Sequence, residues 1–300
     1  MGGVRYLETP CRSALNEVRA RFPFRWSLNP YNACAHRCAF CYARAYARRA
    51  DRPSDDRYGR VIGVKTNIAE TLAGELARAS WRNESIAIGT ATDPYQPAEG
   101  RYRLTRFCLE RLIAASNPFS ITTRGPLIVR DLDLLVEASR RAAVSVAFSV
   151  PTLDDEIWRA TEPGTPPPRQ RLRALAMLVE AGVRAGVFMA PVLPGLSDRP
   201  ELLEEVVAAA RRAGATFVWL EMLNLKPGCR EHFLAVLAES FPEQLPLYQR
   251  LYARHTYLTA CEGAPTRARL DELRRRHGIA DRRTARLAPP SPARQLRLAL

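Results

Sequence analysis

The sequence predicts an α/β protein: an open six-stranded parallel (β/α)6 partial TIM barrel followed by a C-terminal helical appendage. Three observations lead there. Between residues 85 and 220, short apolar runs rich in β-branched residues alternate with stretches of helical period, as buried parallel strands alternate with their crossover helices. Polar sequence marked by Gly and Pro gathers just after those strands, where parallel α/β barrels place their chemistry. A strand-like run at 26–29 opens the series and leads directly into a loop holding three cysteines.

Taken in order, residues 1–25 lack periodicity and read as an extended lead-in. After the cysteine loop, 42–50 is a helix ended near Pro53, 51–65 reads as loop, and 66–80 is a helix with Thr66 as its N-cap. Strand 85–89 then precedes helix 105–116, strand 118–122 precedes helix 131–142, and strand 144–150 precedes helix 168–181. Strand 184–191 precedes helix 200–213, and strand 216–220 closes the series. Pro168 suits a first helical turn. Six units with right-handed crossovers fall short of the eight of a closed barrel. The domain division is therefore a lead-in at 1–25, the barrel at 26–225, a helical appendage at 226–283 (helices 230–240, 245–257 and 265–277) and a mobile tail at 284–300.

Composition narrows the class. The 300 residues are 47% hydrophobic, so the chain is globular, and no run is long enough to cross a membrane. Seven cysteines, three of them clustered, and no apolar leader point to a reducing compartment, the cytoplasm. The net charge of +14 suggests nucleic acid. However, only Lys65 and Lys226 are lysines, and the excess of Arg and Ala has the look of a coding bias. From 264 to 300 ten arginines stand against three acids, a run that suits phosphates or merely a solvated face.

The cysteines are Cys34, Cys38 and Cys41, spaced C-x3-C-x2-C with Phe40 just before the third. Three thiolates on so short a loop can hold three irons of a cubane cluster and leave the fourth open, whereas four cysteines are the more usual set. Zinc held with His36, or plainly buried thiols, are the alternatives. The remaining cysteines are scattered singly, which disfavours paired zinc ligands. His36 by itself reads as an exposed loop residue. At the strand ends, Arg124 and Glu221 are charges that should project into the barrel mouth and need partners there.

The three-cysteine spacing with its aromatic resembles the signature of the radical S-adenosylmethionine (SAM) enzymes. Within that superfamily the chain resembles the spore photoproduct lyase-like group, loosely labelled DNA repair photolyases. The likeness rests on Asn29-Pro30-Tyr31, the stretch 34–42, Thr92-Asp93, Thr122-Thr123-Arg124, Phe148-Ser149, Glu162-Pro163-Gly164-Thr165, and Ala181-Gly182 through Ala190-Pro191. The resemblance implies a [4Fe-4S] cluster on Cys34, Cys38 and Cys41. It also implies SAM contacts from Thr92, Arg124 and Ser149, with Tyr42, Thr90 and Asp93 beside them. It further implies reductive cleavage of SAM to a 5′-deoxyadenosyl radical for hydrogen abstraction, an electron donor such as flavodoxin or ferredoxin, and a nucleic acid substrate. One departure stands out. The family's hydrogen-donating cysteine, three residues before the aspartate, is here Thr90, whose O–H bond is too strong for that role. A peptide or small-metabolite substrate, and a non-catalytic iron–sulfur electron-transfer protein, are the alternative readings.

Overall fold

The computed structural model describes residues 3–18 and 24–282. In chain order it runs β1 (Arg5–Thr9), β2 (Leu15–Glu17), β3 (Trp26–Leu28), β4 (Tyr31–Asn32), α1 (Ala43–Arg49), β5 (Val61–Lys65) and α2 (Ile68–Leu76). It continues through β6 (Ile86–Ile88), α3 (Pro97–Tyr102), α4 (Leu104–Ala114), β7 (Phe119–Thr123), α5 (Leu132–Arg141), β8 (Val144–Ser149), α6 (Asp155–Thr161) and α7 (Pro168–Glu180). Next come β9 (Ala185–Val192), α8 (Pro200–Arg212), β10 (Val218–Met222), α9 (Cys229–Ser240), α10 (Leu245–Leu251) and α11 (Ala260–His277).

The large sheet has the order β10-β9-β8-β7-β6-β3-β2. Every pairing from β3 to β10 is parallel, and β2 joins the edge antiparallel to β3. Each strand that the alternation predicts lies within two residues of its expected position. The crossover helices pack on one face of the sheet, where Leu175, Leu178, Val187, Met189, Val206 and Val207 are completely buried. Burying each such side chain contributes roughly 1.5–3 kcal/mol. Pro168 and Pro200 stand in the first turns of α7 and α8, where the missing N–H costs nothing. Asp154 caps α6 by accepting from Glu156 N and Ile157 N, both at 3.0 Å.

Several expectations are corrected. The supposed loop 51–65 contains β5, which joins β1 and β4 in a small second sheet. Pattern alone misses such strands because they are short and mostly exposed on one side; β1 buries none of its five residues fully. The lead-in likewise forms β1 and β2. Asn67, not Thr66, stands at the N-cap of α2, and its amide instead bonds Cys11 N and Cys11 O at 2.7 and 3.1 Å. The second appendage helix stops at Leu251, and the third starts five residues early because Thr259 and Glu262 form a capping box. The predicted tail at 284–300 lies outside the described residues. Among the described residues, no helix is long and apolar enough to cross a membrane.

The appendage is not separate from the site. Phe233, Leu237, Tyr248 and Tyr252 pack in one apolar cluster with Cys38, Ala39 and Phe40 of the cysteine loop. At the opposite edge, buried Glu75 on α2 ties down β2 by accepting from Ser13 Oγ (2.7 Å), Ala14 N (3.2 Å) and Leu15 N (2.9 Å). Glu75→Ala strands two buried N–H groups and should cost about 2–4 kcal/mol. Urea unfolding at pH 7 measures it; a loss below about 0.5 kcal/mol would mean the edge strand is held elsewhere.

Candidate active site

The site is built where the C-terminal ends of the parallel strands meet the cysteine loop. Cys34 and Cys38 are buried and Cys41 is half-buried. Burial pushes the Cys34 thiol well up, with Asp93, Cys38 and Cys41 adding to it. Burial pushes Cys38 up to about 12 against the opposing pull of Arg124. These thiols therefore stay protonated until a metal displaces the proton. Among the described residues, no three His, Cys, Asp or Glu side chains converge as a single metal ion would require. A cubane cluster makes a different demand, since each thiolate binds a different iron. The donor set, three neighbouring thiols of which Cys34 and Cys38 are buried and Cys41 half-buried, thus fits a cluster better than a single zinc ion.

A residue that sequence reasoning passed over shapes this loop. Arg44, on α1, is buried at 1% exposure and inserts its guanidinium into the loop. It donates to the carbonyls of Cys38 (3.3 Å), Ser54 (2.8 Å), Asp55 (2.5 Å) and Arg37 (3.2 Å), and it lies 4.8 Å from the centroid of the Tyr58 ring. Two further approaches fix the loop's path. Gly164 N donates to His36 O at 3.1 Å, and a Cβ at 164 would come within 2.6 Å of that oxygen. Gly59 has φ +78°, and a Cβ there would overlap Cys34 O.

The residues proposed from the resemblance gather around the loop, though several already have partners. The Thr92 hydroxyl donates to Ala33 O at 2.6 Å and accepts from Gln96 Nε2 at 2.7 Å. Gln96, fully buried and also overlooked, accepts from Ala35 N at 2.9 Å. Thr90 Oγ1 accepts from Asn29 Nδ2 at 3.1 Å. Asp93 accepts from Thr123 Oγ1 (2.6 Å), Tyr95 N (2.9 Å) and Arg124 N (2.7 Å). His36 is buried at 2% exposure, with Nδ1 3.3 Å from Asp93 Oδ2. The expectation of an exposed histidine is therefore corrected, because the loop folds inward over β6.

Arg124 Nε donates to Glu162 Oε1 at 2.5 Å and Nη2 to Ala190 O at 2.8 Å, with the guanidinium carbon 5.5 Å from the Phe40 ring centroid. Glu162, 1% exposed, also pairs at 3.0 Å with the wholly buried Arg171, which in turn donates to Ser149 O at 2.8 Å. Burial alone would neutralise Glu162, but Arg171 and Arg124 outweigh it and keep it a carboxylate. One charged chain thus joins the ends of β7, β8 and β9 to the Glu162-Pro163-Gly164-Thr165 turn. Tyr42 is partly exposed and meets Tyr46 edge-on, with centroids 6.0 Å apart. Glu221 is exposed on β10. Cys108 is buried in the core and Cys229 under the appendage.

A parallel α/β sheet carrying a three-cysteine loop on its strand ends defines a cluster-dependent enzyme class. The radical SAM superfamily model matches residues 28–207. The chain belongs to that superfamily and is a radical SAM enzyme, with a [4Fe-4S] cluster and SAM as its cofactors. An uncharacterised protein of Mycobacterium tuberculosis is 40% identical over 290 residues, spanning 96% of this chain and 85% of that one. Another from Methanocaldococcus jannaschii is 25% identical over 234 residues, 78% of this chain and 83% of its own. Spore photoproduct lyase complexed with dinucleoside spore photoproduct shares the fold, with TM-score 0.69 at 15% identity, covering 91% of this chain and 79% of that one. A double mutant of that enzyme with bound AdoMet and the same dinucleoside gives 0.66 at 15%, with the same coverage of both chains.

Two predictions follow from the geometry. Arg44→Ala leaves four loop carbonyls without their donor. It should cost roughly 3–5 kcal/mol of stability and most of the iron retained after reconstitution, while Arg44→Lys should recover only part of either. Iron and sulfide per chain, read beside the melting temperature, decide it; full iron loading in Arg44→Ala would show that the guanidinium is dispensable. The second concerns acid. Burial favours protonated Asp93, but the His36 charge and hydrogen bond, the Thr123 hydroxyl and the Arg124 N–H overcome it and hold the carboxyl at about 2, below its ordinary 3.8. Its contribution, on the order of 2 kcal/mol, is present above pH 3.8 and lost as pH falls towards 2. Asp93→Asn should be less stable at pH 7 and show a shallower acid loss across that window in urea titrations.

Proposed function

We propose that this protein cleaves SAM reductively and uses the resulting radical to take hydrogen from a substrate held over the strand ends, with nucleic acid as the substrate class. The observation that carries the reading is the convergence of a three-cysteine loop with the Arg124–Glu162–Arg171 chain at one end of the parallel sheet. With the cluster on Cys34, Cys38 and Cys41, the bound cofactors would supply one electron to the SAM sulfonium and a 5′-deoxyadenosyl radical to the substrate.

The chain's own residues orient and shield. Arg124 has committed Nε and Nη2, so Nη1 remains to receive the SAM carboxylate, and Glu162 keeps the guanidinium in place. Ser149 supplies a hydroxyl at the end of β8, and Tyr42 lies beside the half-buried Cys41. Thr92, Thr90 and Asp93 act mainly by fixing the loops, because their polar atoms already serve Ala33 O, Asn29 Nδ2, and Arg124 N with Thr123. We read the sheet as an open (β/α)6 barrel at 26–225 whose mouth the appendage helps to close against water. The electron arrives from a flavodoxin or ferredoxin, and the setting is cytoplasmic.

Nucleic acid is favoured by the net charge of +14 and by the fold shared with a lyase solved with a dinucleoside. Thr90 has no sulfur to return a hydrogen atom, so the outcome on the substrate differs from that of an enzyme with cysteine there. The test is anaerobic: reconstitute, reduce, add SAM and measure 5′-deoxyadenosine. Wild type should form it and Cys41→Ala should not, while Arg124→Ala should raise the SAM Kd about tenfold or more. A colourless zinc-bearing protein without product would overturn the reading. Nucleic-acid affinity that ignores salt would reject the substrate class alone.

A further inference from the structure

The small sheet places one side chain against the cysteine loop. β4 leads straight into that loop, and β5 pairs with it antiparallel, Tyr31 against Val64 and Asn32 against Gly63. β5 also pairs with β1 in parallel over its whole length. The turn that feeds β5 is therefore fixed beside the loop at one end. Arg44 fixes the other end: its guanidinium donates to the Ser54 and Asp55 carbonyls, and Asp55 O also accepts from Tyr58 N at 3.0 Å. Gly59 then passes so close to Cys34 that a Cβ there would overlap the Cys34 carbonyl.

This turn carries Tyr58 inward. Its side chain is buried, with 3% exposure, and packs with Ala43 and Ala47 of α1 and with Ala33 and Cys41. Among the described residues its hydroxyl has one hydrogen-bonding neighbour, Cys41 Sγ at 3.9 Å. Between a free thiol and a phenol either group can donate. A cysteine that binds iron has given up its proton, so only the phenol can then donate. The charged sulfur is also the stronger acceptor and draws the O–H dipole towards it. Burial keeps water from competing for the hydroxyl. Arg44, its guanidinium carbon 4.8 Å from the ring centroid, holds the ring in place and sets a positive charge beside it.

We propose that Tyr58 is a positioning residue of the radical site, whose hydroxyl donates a hydrogen bond to Cys41 Sγ and raises the reduction potential of the cluster. The inference rests on the ligand set proposed above and goes beyond it. The cysteine spacing does not point to a residue 17 positions further along the chain; the fold brings it there. Reduction places more negative charge on the ligand sulfurs. A donor aimed at one of them therefore stabilises the reduced state more than the oxidised one, which is how hydrogen bonds to sulfur help set the potentials of iron–sulfur centres. An electron donor of fixed potential then fills the cluster more completely.

The test uses full-length protein, reconstituted anaerobically without SAM, in a potentiometric titration followed by electron paramagnetic resonance. Tyr58→Phe keeps the ring and its contact with Arg44 and removes the hydroxyl alone. It should retain iron and sulfide like wild type, while its ratio of reduced to oxidised cluster at a fixed solution potential falls about tenfold, a downward shift of about 59 mV. A ring-fluorinated tyrosine at position 58, a stronger donor of nearly the same size, should move the potential upward. Electron–nuclear double resonance of the reduced wild type should show an exchangeable proton that Tyr58→Phe lacks. An unchanged or raised potential in a loaded Tyr58→Phe protein overturns the proposal and leaves the radical function standing. Failure of Tyr58→Phe to retain iron overturns it as well, because the hydroxyl would then hold the loop instead of tuning the sulfur. A wild type that forms no four-iron cluster rejects the ligand set itself and this inference with it.

Discussion

A buried guanidinium is the constraint on which the site depends. A loop carrying three clustered cysteines exposes many backbone carbonyls and has few regular hydrogen bonds of its own. Arg44 gathers two of those carbonyls, at residues 37 and 38, and two more at 54 and 55 beyond α1, so a single side chain ties the cysteine loop to the segment that follows its helix. Burying that charge costs several kcal/mol, which the four carbonyls and the Tyr58 ring offset. Burial lowers its pKa, but an arginine remains charged under any physiological condition. The loop is thereby shaped before any metal arrives.

From that loop, order spreads along charged and amide side chains rather than through apolar contact. Gln96 and Thr92 bind its first turn to the end of β6, and Asp93 binds β6 to β7. Glu162 then links Arg124 with Arg171, reaching β8 and β9. Gln96, Thr92, Asp93, Glu162 and Arg171 are buried and hydrogen-bonded or ion-paired, with Arg124 half-buried beside them, and such pairing lets a polar network rigidify instead of destabilising. A site that must hold a reactive species away from water benefits from such stiffness, since small displacements change what the radical can reach.

The cysteine loop follows β3 and β4, and the Arg124–Glu162–Arg171 chain joins the ends of β7, β8 and β9. A stacked aromatic pair, Phe188 and Trp219, lies on β9 and β10.

The sequence by itself determined the parallel strands, the crossover helices and the clustering of the three cysteines. Their signals are local: β-branched runs, helical period, first-turn prolines and a fixed cysteine spacing all act within a few residues. Only the tertiary structure decided the rest. His36 looked like an exposed loop residue and is buried on Asp93, because the partner lies 57 residues away in the chain and no spacing rule connects them. Arg44 and Gln96 looked like ordinary helix and loop residues until folding brought carbonyls around them. The strand β1 escaped notice because an edge strand of a small sheet buries little, and β5, the central strand, because only Ile62 and Val64 of its five residues are buried. Local pattern records what a residue prefers, whereas long-range packing sets which partner it meets, and in this site the partners hold the chemistry in place.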